Sequence, residues 1–230
     1  MFFFDPTYLI FMIPAFIIMA VTSGYVRSSY KKWSKVRVSS GLTGAQAAER
    51  LISSGGLYDV KVAGTPGELS DHYDPRNKTL FLSQGVYGTP SVAAVAIAAH
   101  ELGHAQQDAE GYGPMRIRSF LVPAVNIGSN LGWILIMIGL FLRITELAWL
   151  GVLVFSAGAL FALATIPVEF NASARAKELL YNTGIIRTEE EVRGVNRVLN
   201  AAALTYVAGL ITAVLQLLYF VFLVGGRRRD

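Results

Sequence analysis

Apolar positions along this chain gather into four long runs, and most of the polar positions fall into one block between the first and second of them. The runs cover residues 7–26, 120–142, 148–166 and 203–224. Each is long enough, as a helix, to cross about 30 Å of hydrocarbon. Pro14 lies inside the first run and predicts a kink there. Asn126, Ser129 and Asn130 fall in the second, where polar groups turn toward protein or water, and a packing role is expected of them. Residues 143–146 make a short loop between the second and third runs. Pro167 closes the third, and residues 168–202 then read as a polar helical segment. Within it Glu189-Glu190-Glu191 opens a second helix, since carboxylates suit a helix N-terminus.

The polar block, residues 27–119, carries other signals. Thr43 and Gln46 form a capping box that opens a helix through Ser54, and Gly55-Gly56 stops it. Val60-Lys61-Val62 and Thr79-Leu80-Phe81-Leu82 read as the strands of a short β-hairpin, with a turn signal at Asp74-Pro75-Arg76-Asn77. Thr89-Pro90 predicts an N-cap and a first-turn proline for a helix over 91–108. That helix is apolar all round from Val92 to Ala99, so it is expected to be buried.

Composition turns this pattern into a class. Hydrophobic residues make up 53% of the 230 and charged residues 16%, with a mean hydropathy of +0.46. Soluble domains carry roughly 25% charged residues, so the chain reads as a membrane protein with a modest polar part. There is no cysteine. Disulfides, thiolate zinc sites and a cysteine nucleophile are therefore excluded. The net charge is only +4, and the basic residues flank the apolar runs, so nothing suggests a nucleic-acid partner. No basic residue precedes the first run, whereas Arg27, Lys31, Lys32, Lys35 and Arg37 come after it. That order suits a retained anchor rather than a cleaved signal peptide, and it sets the polar block in the cytoplasm. Arg227-Arg228-Arg229 argue the other way, because four spans would leave them outside. The basic residues around the polar block outnumber them.

The chemistry centres on His100-Glu101-Leu102-Gly103-His104. A four-residue step on a helix returns to the same face, so both imidazoles can bind one Zn²⁺. Glu101 lies about 100° round from His100, where a general base for a zinc-activated water belongs. Two histidines need a third protein ligand. Glu49, Glu68, Asp71, Asp74, Asp108, Glu110, Glu169 and Glu178 are the carboxylates on the right side, and His72 is the one other histidine. Glu169 stands out because it leaves the third run beside Pro167 in an apolar, small-residue stretch, where an unpaired charge is costly. The second and third runs form a hairpin, so the segments on either side of it share one face of the membrane. His72, Tyr73 and Arg175 are candidates to stabilise an oxyanion. His72 lies just before a strand-like segment, an edge that could align an extended peptide.

Three stretches in order carry a resemblance: Asp71-His72-Tyr73-Asp74-Pro75-Arg76, then His100 through Gln106, then Pro167-Val168-Glu169-Phe170-Asn171-Ala172-Ser173. Together with the four apolar runs they resemble the bacterial membrane neutral zinc metallopeptidases of the YugP type. The likeness covers nearly the whole chain. More distantly the chain is similar to HtpX and CAAX-protease zincins, in which a glutamate beyond a membrane hairpin is the third ligand. The resemblance implies Glu169 as third ligand, one Zn²⁺ per chain, and a mainly α fold. That fold has four transmembrane helices and a small α+β zincin-like cytoplasmic domain. It implies hydrolysis of membrane or membrane-proximal protein or peptide substrates, by a multi-pass protein of the bacterial plasma membrane. One departure stands: where HtpX-like relatives commonly place a carboxylate one turn after the ligand glutamate, this chain has Ser173, with Asn171 two after Glu169. Asp108, one turn after His104, is an alternative partner for a ligand histidine. Two other functions compete. One is a site-2-type intramembrane protease with the motif inside a span; the other is a non-enzymatic scaffold around a structural zinc.

Overall fold

The computed structural model describes residues 6–226. The expected conflict at Arg227-Arg228-Arg229 lies outside them. In chain order the elements are α1 (Pro6–Trp33), α2 (Gly44–Gly55), β1 (Lys61–Thr65), β2 (His72–Asp74), β3 (Thr79–Ser83), α3 (Gln84–Tyr87), α4 (Val92–Ala109), α5 (Gly113–Leu142), α6 (Thr145–Phe155), α7 (Ala157–Asn182) and α8 (Glu189–Gly226). Four helical stretches are long and apolar enough to cross a membrane: Pro6–Trp33, Gly113–Leu142, Thr145–Asn182 and Glu189–Gly226. The chain divides into two compact units. Among the described residues one comprises 6–22, Gly113–Pro167 and 205–226, the other Ser23–Tyr112 and Val168–Leu204.

In the first unit α5 and α6 form a tight hairpin. Arg143, in the left-handed region at φ 58°, turns the chain between them, and Ile144 N–H closes the turn on the Gly139 carbonyl at 2.8 Å. The connection is thus residues 143–144, shorter than the loop expected over 143–146, because Thr145 and Glu146 already belong to α6. A Cβ on Gly139 would lie 2.4 Å from the Ala148 nitrogen, so close helix contact depends on the missing side chain. Ile136, Leu140, Ala148, Val152, Tyr219, Phe220 and Val224 form this unit's buried cluster. The third expected span is interrupted once, at Ser156, between α6 and α7. Pro167, expected to close that span, instead lies inside α7. A proline removes one donor from the ladder, and a long helix tolerates that loss where the neighbouring bonds remain.

In the second unit the capping box forms as the sequence indicates. Thr43 Oγ1 accepts from Gln46 N–H at 3.3 Å, the Gln46 side chain accepts from Thr43 N–H at 3.0 Å, and Gly56 ends α2 in the left-handed region. The sheet differs from the expected two-strand hairpin. It has three strands in the order β1-β3-β2, with β1 parallel to β3 and β2 antiparallel to it. The turn at 75–78 joins β2 to β3, so β2 and not β1 is the hairpin partner. β3 sends Leu80 and Leu82 into the core. The N-cap of α4 is Ser91, not Thr89: Ser91 Oγ accepts from Ala94 N–H at 3.2 Å. The reason is extended pairing just before the helix. Val38 N–H donates to the Pro90 carbonyl at 3.2 Å and Val92 N–H to the Val36 carbonyl at 2.9 Å, which holds residues 90–91 out of helical conformation and starts the helix at Val92. From Val92 to Ala99 all but Ile97 are buried in α4, so its alanine-rich half runs through the core beside Leu51, Leu80, Leu180 and Leu199.

Candidate metal centre

α4 and the part of α7 from Val168 onward build the site, both within the second unit. His100 and His104 are 9% and 8% exposed on α4, and Glu169 on α7 is 1% exposed. Glu169 Oε2 lies 3.2 Å from His100 Nε2 and 3.5 Å from His104 Nε2. One ligand atom from each of the three residues falls within 4.8 Å of the other two. A carboxylate almost wholly withdrawn from water is costly unless a positive charge meets it. Two imidazoles presenting the same ring nitrogen toward its oxygen are a donor set for one small divalent cation. The electrostatics agree. Burial works against a charged His104, yet hydrogen bonding to Glu169 and the charges of Glu101 and Glu169 raise its pKa above the ordinary histidine value. The pocket favours positive charge.

Why α7 can come so close is written in one residue. Gly103 lies between the two histidines, and a Cβ there would sit 2.6 Å from the Ala172 carbonyl oxygen and 3.1 Å from its Cα. That is backbone and cannot swing aside. We therefore expect Gly103→Ala to push the helices apart, costing about 1–3 kcal/mol of stability and weakening zinc uptake. Thermal unfolding and a zinc titration check both; an unchanged titration would remove Gly103 from this role.

The outer nitrogens of both rings are engaged. His100 Nδ1 lies 3.2 Å from Ser173 Oγ. His104 Nδ1 lies 3.0 Å from Gln107 Oε1. Gln107 is wholly buried and donates from Nε2 to the Val168 carbonyl at 2.8 Å and to Asn171 Oδ1 at 2.9 Å. Partners of this kind fix a ligand ring's tautomer and orientation. Ser173, a departure in the sequence, takes that place for His100. Gln107 is not among the residues the sequence singles out. Its signal is spacing: it comes three after His104, on the same helix face. Asp108, the alternative partner for a ligand histidine, instead accepts a hydrogen bond from Tyr73 O–H at 2.9 Å. Burial and that bond push the Tyr73 phenol above its ordinary pKa.

The remaining candidates fall elsewhere. Glu101, 9% exposed, sits beside His100 and is not one of the three converging ligands. His72 is in β2 rather than before a strand, and it faces Phe81 across the hairpin. The two rings stack at 5.0 Å, and His72 Nδ1 lies 2.9 Å from the Ser70 carbonyl oxygen. Strand alternation puts Tyr73, opposite the buried Leu80, on the other face. Among the described contacts none joins His72 to the trio. Arg175 donates from Nε to Asn171 Oδ1 and from both terminal nitrogens to Glu110, each at 2.7 Å.

A family model described as "Putative neutral zinc metallopeptidase" matches residues 8–225 of this chain. A protein of Bacillus subtilis (strain 168), described as "Putative membrane protease YugP", is 46% identical over 198 residues, which is 86% of this chain and 88% of that one. No solved structure matches.

Proposed function

The chain belongs to the zinc metallopeptidase family whose model spans residues 8–225, and from that premise we propose that it is a membrane-anchored zinc endopeptidase. The observation that carries the reading is the convergence of His100, His104 and Glu169 on one point. These three would hold one Zn²⁺. Bound there, zinc supplies a Lewis acid that lowers the pKa of water and polarises a peptide carbonyl. The chain's own part falls to Glu101, which accepts the proton from the attacking water and returns one to the leaving amine. Ser173 and Gln107 keep the two imidazoles turned toward the cation. His72, Tyr73 and Arg175 stay as candidates to stabilise the oxyanion, a role in which each would meet the substrate carbonyl rather than the trio.

The competing readings meet specific observations. A site-2-type protease needs its motif inside a span, and α4 is not among the four helices long and apolar enough to cross a membrane. A structural zinc site is normally closed by four protein ligands, and three converge here. We assign the protein to a bacterial plasma membrane, with the second unit on the cytoplasmic side and protein or peptide substrates near the bilayer. The test uses the full chain in detergent, supplied with zinc and an unstructured peptide. Cleavage should stop with a chelator, return with zinc, and be blocked by a hydroxamate, which binds an open metal position. Hydrolysis indifferent to all three would overturn the proposal.

A further inference from the structure

The partners of His104 form a chain with a direction. Arginine is a donor only, with no acceptor atom. Arg175 is itself anchored by the two-toothed contact of its terminal nitrogens with Glu110. Its Nε therefore requires an oxygen from Asn171, and Oδ1 lies 2.7 Å away. With Oδ1 so turned, the group meeting it from Gln107 at 2.9 Å must be the amide nitrogen. The Val168 carbonyl, an acceptor only, makes the same demand at 2.8 Å. The Gln107 oxygen is then the atom left for His104, 3.0 Å from Nδ1. An amide oxygen can only accept, so Nδ1 carries the proton and Nε2 offers its lone pair on the side of Glu169. Each amide, taken alone, could turn over and present its nitrogen instead.

We propose that Arg175, acting through Asn171, locks the Gln107 amide in the orientation that makes His104 a competent metal ligand, so that Arg175, Asn171 and Gln107 are positioning residues of the centre. The inference rests on the reading of His104 as a zinc ligand. It explains why a neutral Gln107 suffices where a carboxylate would ordinarily orient the ring: its polarity is imposed from outside, by the Val168 carbonyl together with an amide that a cation orients. It also gives Glu110 a place in the site from some distance, as the group that anchors the arginine.

The test is a double-mutant cycle on zinc affinity, measured by chelator competition on the full-length protein with zinc alone as probe. Gln107→Leu and Asn171→Leu should each weaken binding about tenfold. The double variant should be no weaker than the worse single one, because Asn171 acts through Gln107. Asn171→Asp keeps an acceptor toward both neighbours and should retain the affinity of the parent. Arg175→Met, which leaves α4 and both amides intact, should weaken binding in the same direction as Asn171→Leu. A second readout tracks the His104 Nδ1 proton of the zinc-loaded protein by ¹⁵N-histidine labelling, practicable with three histidines in the chain. It should be protected from exchange in the parent and in Asn171→Asp, and lose protection in Asn171→Leu and Arg175→Met. Independent, additive losses in the cycle, or a protected proton in Asn171→Leu, would overturn the lock while leaving the zinc site standing. A parent protein that takes up no zinc would overturn the metal centre itself.

Discussion

Glu101→Gln should leave the zinc content of the purified protein unchanged and lower peptide hydrolysis about 10²–10⁴-fold, the range that general acid–base catalysis supplies. The split between the two readouts is what gives the experiment its force. Glu101 is not one of the three groups that converge, so an amide in its place subtracts nothing from the donor set. The substitution is isosteric and keeps hydrogen-bonding capacity at a position only 9% exposed, so the fold should hold. What an amide cannot do is take a proton from water and hand it on. Full turnover in this variant would strip Glu101 of its assignment. Loss of zinc alongside activity would mean that Glu101 also serves the cation.

Glu169→Gln should act the other way round, on the metal first. Partners one step removed from a metal typically cost 10–100-fold in affinity when lost, so removing a ligand itself should exceed about a hundredfold. The glutamine preserves volume and can still meet the imidazoles, while the negative charge that balances the cation is gone. Metal analysis after dialysis against a weak chelator reads the effect, with helical content tracked by circular dichroism to show that the fold persists. Hydrolysis should fall with zinc occupancy. Undiminished zinc would mean that another carboxylate closes the set.

The centre of the site is legible in the sequence because one face of one helix holds two of its three converging groups. The His100–His104 spacing needs no tertiary information. Glu169 is legible for a different reason: a charge leaving a span among small apolar residues demands a partner, and the hairpin before it allows the return. Gln107 stays hidden because a neutral amide raises no such demand. Its neighbour Asp108 draws the expectation, and the structure turns that acid toward Tyr73 instead. The sheet is half visible. The β2–β3 turn announces itself through Asp74-Pro75, whereas the parallel pairing of β1 with β3 depends on a partner 18 residues away and leaves no local mark. Pro167 misleads for an instructive reason. Proline is a poor helix residue on average, but α7 passes through it and so delivers Glu169 on an unbroken helix.

The most direct measurement is X-ray absorption at the zinc edge on the full-length protein, combined with metal stoichiometry. One zinc per chain is expected, with two imidazole nitrogens and a carboxylate oxygen in its shell, and an added ligand atom when a hydroxamate is present. A shell without two imidazoles, or one indifferent to the hydroxamate, would contradict the proposed centre.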